Sequence, residues 1–500
     1  MVPECMTLNA GPEIEPETSI ATAVATPGSP RWATRMVLIG IAVGAGWRLG
    51  VLVVDKWRQP MLLNDSLYYT AQAQQLVRGV WFREIFADQP GAEHGPLTSV
   101  VLASVSWLPQ PVPWQRLVTV LVGIGGILVI AQLARLVGGW RAGLIAAWIA
   151  AVYPNLWMND GLVMSESLSI LLVSITLVMG HHLISSPPPD RVLRIAVLTG
   201  VAAGAGVLAR SELALLLVLL VVLVFRATSG SRGQRGRVAF VVAASAVVMI
   251  APWVVFNLHR FERPVLLTTN DGTTLIGSYC DETFAQPPFD DTQHGGWTVD
   301  CVVADPDYRA DEEPSVRSGR QRSIAVSYAR GHLGDLPGVI AARVGRSFDL
   351  TGLGSLVRQD VGEERYRWAS WAGIVAWWLL APLAVYGWWL LDSRRRQLLV
   401  LPVISVLATT IAFYGAHRIR SSMEPVVVVT AAVALSILWV RCSGSAGSAG
   451  SVGIVGGLGE DAAGERKDDH EEAGTVEVLE RPGPGGIDRE AIDQFPANDQ

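Results

Sequence analysis

An acidic and aromatic segment, Asp65-Ser66-Leu67-Tyr68-Tyr69, follows the first long apolar stretch of the chain. A chain that only crossed a bilayer would have no use for these side chains at this point. A carboxylate can accept a proton from a hydroxyl group, and tyrosines are common where a membrane meets water. The segment therefore favours an enzyme that acts on a polar head group carried by a lipid. The ordinary alternative is that Asp65 caps the helix that follows it.

Other ionisable residues lie at the ends of apolar stretches, where charge is costly near the membrane. Carboxylates and arginines together suit transfer from a lipid phosphate, because a carboxylate accepts a proton and guanidinium groups bind the phosphate. Simpler alternatives are a helix cap for Glu166, a solvated pair for Glu93 and His94, and an ion pair between Arg210 and Glu212. The residues assigned to the same side as Asp65 are Glu84, Asp88, Glu93, His94, Asp160, Glu166, Arg210, Glu212, His417, Arg418 and Arg420.

The composition indicates a membrane protein. Half of the 500 residues are apolar and only 17% are charged, and the mean hydropathy is +0.35. Apolar runs long enough to cross about 30 Å of hydrocarbon recur from Met36 to Val440. No basic face with interleaved aromatic residues is present, so nucleic acid is not an expected partner.

The positions of arginine set the expected topology, since basic residues near span ends favour the cytoplasm. Arg31 and Arg35 place the N-terminus inside and Asp65 outside. The run Leu97–Leu108 is too short to span and is expected to form a helix along the outer surface. The sequence thus predicts an all-α polytopic membrane protein with about 10 (10–12) spans, at residues 36–54, 116–137, 142–157, 165–182, 192–209, 213–225, 238–257, 368–391, 397–415 and 424–440.

Two arginines break this pattern. Arg418 and Arg420 follow the ninth predicted span and would face outward, against the usual bias. Residues that defy the bias are candidate ligands for an anion, so both are expected to bind a phosphate. Arg48, inside the first span, could either extend to the interface or meet a carboxylate.

The chain divides into five expected regions. Residues 1–34 and 442–500 are expected to be disordered cytoplasmic tails because of their composition. Residues 35–257 form a transmembrane module whose first outer loop is 55–115, residues 258–367 a large outer loop, and residues 368–441 the last spans.

The large outer loop is expected to form a small cap, because it has too few apolar residues for its own core. A helix is expected over Ser315–Ala329, and Asn270-Asp271-Gly272 predicts a turn. Cys280 and Cys301 fall in this loop, where an oxidising compartment favours a disulfide between them, with two free thiols as the alternative.

Several motifs together resemble a known family. They are Asn64-Asp65-Ser66-Leu67-Tyr68-Tyr69, Ala92-Glu93-His94-Gly95-Pro96-Leu97, Ala151–Trp157 continuing to Met164-Ser165-Glu166, Leu208-Ala209-Arg210-Ser211-Glu212, Ala251-Pro252-Trp253 with Asn257, Thr269–Gly272, and Arg418-Ile419-Arg420 before Pro425. In this order they resemble polyprenyl-phosphate-dependent GT-C glycosyltransferases of actinobacterial type, similar to families 39 and 83 and related to protein O-mannosyltransferases and aminoarabinose transferases. The resemblance covers about residues 36–440. The chain departs from the family at two positions. The family usually has an acidic residue or a glycine where this chain has Asn64, and a proline where it has Gly95.

The resemblance implies a role for each candidate residue. Asp65 would be the general base of an inverting displacement, and Glu166 would help position the acceptor or a metal. Arg210, Arg418 and Arg420 would bind the donor phosphate. The acceptor or other substrate groups would contact Tyr68, Tyr69, Glu93, His94 and Glu212.

The resemblance also implies partners and a location. The donor would be a sugar on polyprenyl phosphate, and the acceptor a protein, glycan or lipid outside the cytoplasm, consistent with protein glycosylation or cell-envelope synthesis at the plasma membrane. No cofactor is firmly expected: a divalent cation, Mg or Mn, is one option, with Glu93 and His94 as a weak metal site. The competing hypotheses are a flippase or transporter for lipid-linked saccharides, which lacks catalytic chemistry, and a membrane scaffold.

Overall fold

Helices are the main regular structure of the described residues. The computed structural model describes residues 29–62, 65–284, 293–305, 307–309 and 311–449, and within them there is no strand, only an isolated bridge between Arg83 and Pro90. The predicted all-α polytopic fold is confirmed. The predicted tails lie mostly outside the described residues, but the first helix already begins at Arg31 and the last ends at Ala449, so helix replaces the tail at both of these borders.

Long apolar helices make up most of the molecule. Within the described ranges, eight helices are long and apolar enough to cross a bilayer. A ninth, Leu213–Ala227, is apolar but shorter. The eight are Arg31–Lys56 with a π-helical end at Leu52–Lys56, Pro111–Val152, Glu166–Ile184, Pro189–Ala209, Arg232–Leu258, Arg367–Trp389, Ser393–Ala412 and His417–Cys442.

The 42-residue helix Pro111–Val152 is a hairpin of two arms. Gly139 leaves helical geometry, with φ of 82°, a conformation that glycine adopts without strain. A Cβ on Gly143 would lie 3.1 Å from the backbone oxygen of Ala131, although a straight helix would separate these residues by about 18 Å. The chain therefore turns back here, and the two arms correspond to the predicted spans 116–137 and 142–157.

The second arm ends earlier than predicted, at Val152. Tyr153 is extended and Pro154 begins a separate short helix, Pro154–Trp157, because a proline disfavours helical geometry in the residue before it. The turn beyond this short helix leads to Glu166 at the start of the next span.

The first predicted outer loop contains two helices that pack against each other, Asp65–Val77 and Pro96–Ala103. The second is shorter than the expected 97–108. Its end coincides with hydroxyl groups that bond to nearby backbone oxygens: Ser104 donates to Val101 and Ser106 to Leu102, and such bonds compete with regular structure.

In its described part, the large loop contains six helices and one disulfide bond. The disulfide between Cys280 and Cys301 is present, so the predicted pairing is confirmed. The turn predicted at Asn270-Asp271-Gly272 is wrong. Gly272 lies where a Cβ would be 2.5 Å from the backbone oxygen of Ser318, so its role is close helix packing. The six helices are Asn270–Ile276, Asp281–Phe284, Val299–Val303, Pro314–Gly331, Leu336–Ser347 and Leu353–Gly362.

A continuous aliphatic core joins the spans. It includes Leu133 of the hairpin, Leu177, Leu220, Leu398 and Val428, all fully buried. The chain approaches the last span through the short helix His417–Arg420 and a 3₁₀ turn, Ser421–Met423, before helix Glu424–Ala449. This compact turn fixes where the late arginines can point.

Candidate active site

Asp65 lies between two cationic groups. It is the first residue of helix Asp65–Val77; Leu63 and Asn64 before it lie outside the described residues. Its Oδ2 accepts a hydrogen bond of 2.5 Å from Nη2 of Arg418. Its Oδ1 is 3.5 Å from Nε2 of His94. The Asp65 side chain is 27% exposed, so a substrate can reach it.

The charge state of Asp65 follows from these neighbours. Burial alone would raise the pKa of the carboxyl, but Arg418 and then His94 outweigh it and hold the pKa well below its usual range. In the same way Asp65 outweighs the effect of burial on His94 and raises the pKa of its imidazole. Asp65 is therefore an ionised carboxylate in this arrangement.

Arg418 borders three carboxylates. Besides Asp65, its Nε lies 3.3 Å from Oε1 of Glu166, and its Nη1 lies 3.3 Å from Oε1 of Glu363. The guanidinium is planar with five donors, which suits bidentate recognition of carboxylate or phosphate. Arg418 thus lies at the centre of the cluster.

Glu166 extends the cluster toward Arg210. Oε1 of Glu166 accepts a 2.8 Å hydrogen bond from Arg210, whose Nε also donates to Glu212 at 2.5 Å. The ion pair of Arg210 with Glu212 is therefore present, and Arg210 joins the site as well. Oε2 of Glu166 is buried without a hydrogen-bond partner, which leaves an acceptor facing the cluster.

His94 is held by the two tyrosines of the first motif. Its ring stacks on Tyr69 at a centroid distance of 5.0 Å and meets the edge of Tyr68 at 5.1 Å. The Tyr68 hydroxyl accepts hydrogen bonds from Gln72 and from the backbone of Glu93. Both tyrosine rings are buried, so these contacts orient His94 toward Asp65. An acceptor contact by either tyrosine stays a prediction.

Two acids of the first loop lie close to this tyrosine pair. Burial, reinforced by Glu93, raises the pKa of Glu84 to about 7. Burial is also the main cause that raises the pKa of Glu93. One oxygen of Glu84 is buried without a hydrogen-bond partner, so its ionised form is poorly accommodated.

Arg420 does not contact the Asp65 cluster, and its predicted role as a donor-phosphate ligand stays a prediction. It is fully buried and donates to Asp349 at 2.6 Å and Glu424 at 2.7 Å, with its guanidinium 4.2 Å from the Trp377 ring centroid. Residues two apart on a helix differ by about 200° around the axis. Arg418 and Arg420 therefore point to opposite sides of the helical turn His417–Arg420.

A further group of charged residues at the end of the large loop lies beside the cluster, although no sequence motif predicts it. Arg365 donates to Asp360 at 2.8 Å, to Glu363 at 2.5 Å and to Asn159 at 2.9 Å. His417, which was grouped only with the outer charges, lies between Asp349 and Asp360 at 2.6 and 2.8 Å. The charged run before the span at Arg367 is visible in the sequence, but its spacing does not assign it to the site.

Arg48 meets a carboxylate, one of the two alternatives weighed for it. Its Nε lies 2.6 Å from Oδ2 of Asp160, and both side chains are buried. Ser167 donates to the other oxygen of Asp160, and Arg48 also donates to the backbone of Ala150 and Ala151. The guanidinium nitrogens of Arg48 and both carboxylate oxygens of Asp160 have hydrogen-bond partners, which indicates a structural role for this ion pair.

A divalent cation at this site stays a prediction, because the described residues offer no cluster of three free metal ligands. Within the described part of the chain, one group of three potential ligands is close enough to share an ion: Cys280, Glu282 and Cys301. Its two sulfurs are joined in the disulfide, so they cannot serve as thiolate ligands. In the Asp65 cluster, the carboxylates face guanidinium groups rather than each other. The weak site expected at Glu93 and His94 has Asp65 beside His94 and stays a prediction.

Comparisons with known proteins agree with the expected resemblance. A family model described as dolichyl-phosphate-mannose-protein mannosyltransferase matches residues 93–256, about a third of the chain. The archaeal oligosaccharyltransferase AglB from Archaeoglobus fulgidus, solved with an inhibitory peptide and a dolichol-phosphate, superposes with a TM-score of 0.52 at 14% identity, over 86% of this chain and 53% of its own. An Archaeoglobus fulgidus oligosaccharyltransferase solved with Zn and sulfate gives 0.52 at 15% identity, over 83% and 50%.

A third structure, ArnT from Cupriavidus metallidurans with undecaprenyl phosphate, covers 84% of this chain and 80% of its own at 13% identity, but its TM-score of 0.38 carries no weight. No curated protein sequence matches the chain. The chain spans about half the length of the oligosaccharyltransferases it superposes on. The family match and the shared fold confirm the expected resemblance to GT-C glycosyltransferases.

Proposed function

We propose that this protein is a membrane glycosyltransferase that moves a sugar from a polyprenyl-phosphate donor to a hydroxyl group of an acceptor. The observation that carries the proposal is the position of Arg418, which contacts Asp65 at 2.5 Å and borders Glu166, itself bound to Arg210. A carboxylate beside two guanidinium groups suits proton removal next to a departing phosphate. The dolichol-phosphate bound in the AglB structure supports a lipid-phosphate donor.

The reaction would proceed as one inverting displacement. The acceptor oxygen attacks the anomeric carbon while the bond from that carbon to the phosphate oxygen breaks. Asp65 takes the acceptor proton, and the electron pair of the broken bond leaves with the phosphate. Arg418 and Arg210 would stabilise the charge that grows on the phosphate. The fixed positions of these side chains hold both substrates in line, which supplies a large part of such rate accelerations.

His94 and the tyrosines would act on Asp65 rather than on the sugar. Asp65 favours the cationic form of His94, because that carboxylate raises the pKa of the imidazole. The stacked tyrosine rings fix its orientation. We expect this group to keep Asp65 ionised and correctly turned before the acceptor arrives.

The site would face the extracytoplasmic side. The basic residues at span ends favour this orientation. The disulfide Cys280–Cys301 supports it, because the large loop is predicted on the same side as Asp65 and disulfides persist in oxidising compartments. A protein acceptor agrees with the matched family, and a glycan or lipid acceptor would use the same chemistry.

The test is transfer of labelled sugar by the purified protein in vesicles that contain polyprenyl-phosphate-hexose and envelope acceptors. Wild type is expected to release polyprenyl phosphate and label the acceptor, whereas Asp65→Asn should reduce transfer at least 100-fold with normal folding. Asp88→Asn is the matched control, since Asp88 lies in the same loop with a 96% exposed side chain. Full activity of Asp65→Asn would exclude Asp65 as the base. Movement of the intact donor across the vesicle without transfer would indicate a flippase.

A further inference from the structure

Two consecutive glutamates, Glu363 and Glu364, lie between the last loop helix and the span that begins at Arg367. Neither is among the residues selected from the sequence. Glu364 has a left-handed backbone, with φ of 66°, which is uncommon outside glycine. The two side chains contact different parts of the candidate site.

Glu363 contacts Arg418 directly. Its Oε1 lies 3.3 Å from Nη1 of Arg418, while its Oε2 accepts a 2.5 Å hydrogen bond from Arg365. Arg365 is itself fixed by Asp360 and Asn159. Glu363 therefore links Arg418 to a rigid, buried group of side chains.

Glu364 contacts the segment that leads into Asp65. Its Oε1 accepts a 3.0 Å hydrogen bond from the backbone of Leu62, three residues before Asp65. Its Oε2 accepts 2.7 Å from Arg116, which also donates to the backbone of Lys56 and Gln59. The side chains of Glu364 and Arg116 are both fully buried. Glu364 thus ties down both ends of the segment before Asp65.

We infer that Glu363 and Glu364 form a brace that sets the position of Arg418 relative to Asp65, with Glu363 as the positioning residue for the arginine and Glu364 for the segment that carries the carboxylate. Adjacent residues of one short chain segment move together, so a displacement of this segment would shift both partners. Neither glutamate needs to touch substrate. The inference rests on the proposed sugar transfer and adds positioning residues to that site.

The two halves of the brace predict different kinetic changes. Loss of the Glu363 carboxylate removes a contact that fixes the direction of Arg418. The guanidinium is then no longer aligned with the donor phosphate, so binding of that phosphate weakens. Loss of the Glu364 charge loosens the segment before Asp65, so the chemical step slows while donor binding persists. A residue with only a general structural role would not separate KM from kcat in this way.

The experiment measures kcat and both KM values in the vesicle assay, together with the affinity for polyprenyl phosphate. Glu363→Gln should raise the donor KM and the dissociation constant of polyprenyl phosphate about tenfold, with the acceptor KM unchanged, and Glu363→Asp should recover most of the affinity. Glu364→Gln should lower kcat about tenfold with little change in donor KM; if it fails to fold, Glu364→Asp is measured instead. Glu262→Gln, an exposed residue of the same loop, is the control.

Wild-type kinetics in Glu363→Gln, or equal changes in donor and acceptor KM, would overturn the brace. Unchanged kcat in the Glu364 variant would do the same. Failure of the proposed function is a separate result, because it shows as absence of transfer by wild type in the same assay.

Discussion

The carboxylate of Asp65 contacts both Arg418 and His94, and these two contacts determine its strength as a base. The two cations hold the pKa of Asp65 well below its usual range against the effect of burial, so its proton affinity is low in the arrangement without donor. A donor phosphate would compete with Asp65 for Arg418. We expect donor binding to raise the basicity of Asp65 and so favour its reaction after both substrates are present.

The two late arginines should respond differently to substitution. Arg418→Gln should lower sugar transfer about 100-fold or more with little loss of stability, because Arg418 is at the site and partly exposed. Arg420→Gln should instead destabilise the protein by about 3–5 kcal/mol, because Glu424 would remain buried without its cation and Asp349 would keep only His417. Activity per folded molecule and the unfolding midpoint in detergent measure the two effects. A stable but inactive Arg420→Gln protein would contradict this assignment.

Glu84 should make stability depend on pH. Burial and Glu93 raise its pKa from 4.5 to about 7, so its contribution to stability is complete below about pH 4.5 and is lost as the pH rises to 7. Glu84→Gln removes this titration, so the variant should unfold at a higher temperature than wild type at pH 8 but not at pH 4. Asp88→Asn, with an exposed carboxylate, should show no such difference. An equal effect of Glu84→Gln at both pH values would rule out the titration.

At the residue scale, the order of the motifs predicted which residues belong to the site, but it did not predict how their side chains are arranged. Asp65, Glu166, Arg210 and Arg418 were selected from the sequence and meet in one cluster. Arg420 was selected with them because both arginines break the inside-positive pattern. The bias reports only the side of the membrane, whereas the direction of each side chain depends on the helical turn that contains it.

At the level of elements, the pair between Arg48 and Asp160 joins the first span to the turn before Glu166. Asp160→Asn removes the charge that compensates buried Arg48 and should destabilise the protein by about 3–5 kcal/mol. Replacement of both residues, Arg48→Met with Asp160→Leu, should recover part of this loss. Unfolding midpoints in detergent measure both, with Asp190→Asn, which is 75% exposed, as the control. No destabilisation by Asp160→Asn would show that the pair is not needed for stability.

Element positions followed well from hydrophobic run length. Each of the ten predicted spans coincides with a helical segment, including the hairpin at Gly139, which the arginines around it had marked. The secondary structure of the large loop was harder to predict from its sequence. Asn270-Asp271-Gly272 has the composition of a turn, yet it begins a helix because Gly272 allows close contact with Ser318. Such tertiary contacts are invisible to local sequence patterns.

For the whole molecule, orientation in the membrane is the main prediction from arginine placement. Cys442 is exposed, and it follows the last span on the predicted cytoplasmic side. In a Cys5→Ser background, a membrane-impermeant maleimide should label Cys442 in inverted vesicles but not in intact cells. Cysteine labelling followed by mass spectrometry measures this. Labelling in intact cells would reverse the topology and place the Asp65 cluster on the cytoplasmic side.

The overall architecture could be predicted from the sequence, because a bilayer is crossed by apolar helices of a set length. The arrangement of the site was not, since it depends on contacts between residues far apart in the chain, such as Leu62 with Glu364 and Asp65 with Arg418. Charges at the end of a long loop gave no period or spacing that could assign them to the site. Their positions depend on the contacts that Glu363 and Glu364 make with Arg418, Leu62 and Arg116.

The most direct test of the central claim is a structure of the full-length protein with bound polyprenyl phosphate in lipid. We predict the phosphate within hydrogen-bonding distance of the Arg418 guanidinium, beside Arg210, with its lipid chain between the membrane helices and Asp65 facing the open side of the phosphate. A phosphate bound elsewhere, with Arg418 still held on Asp65, would contradict the account.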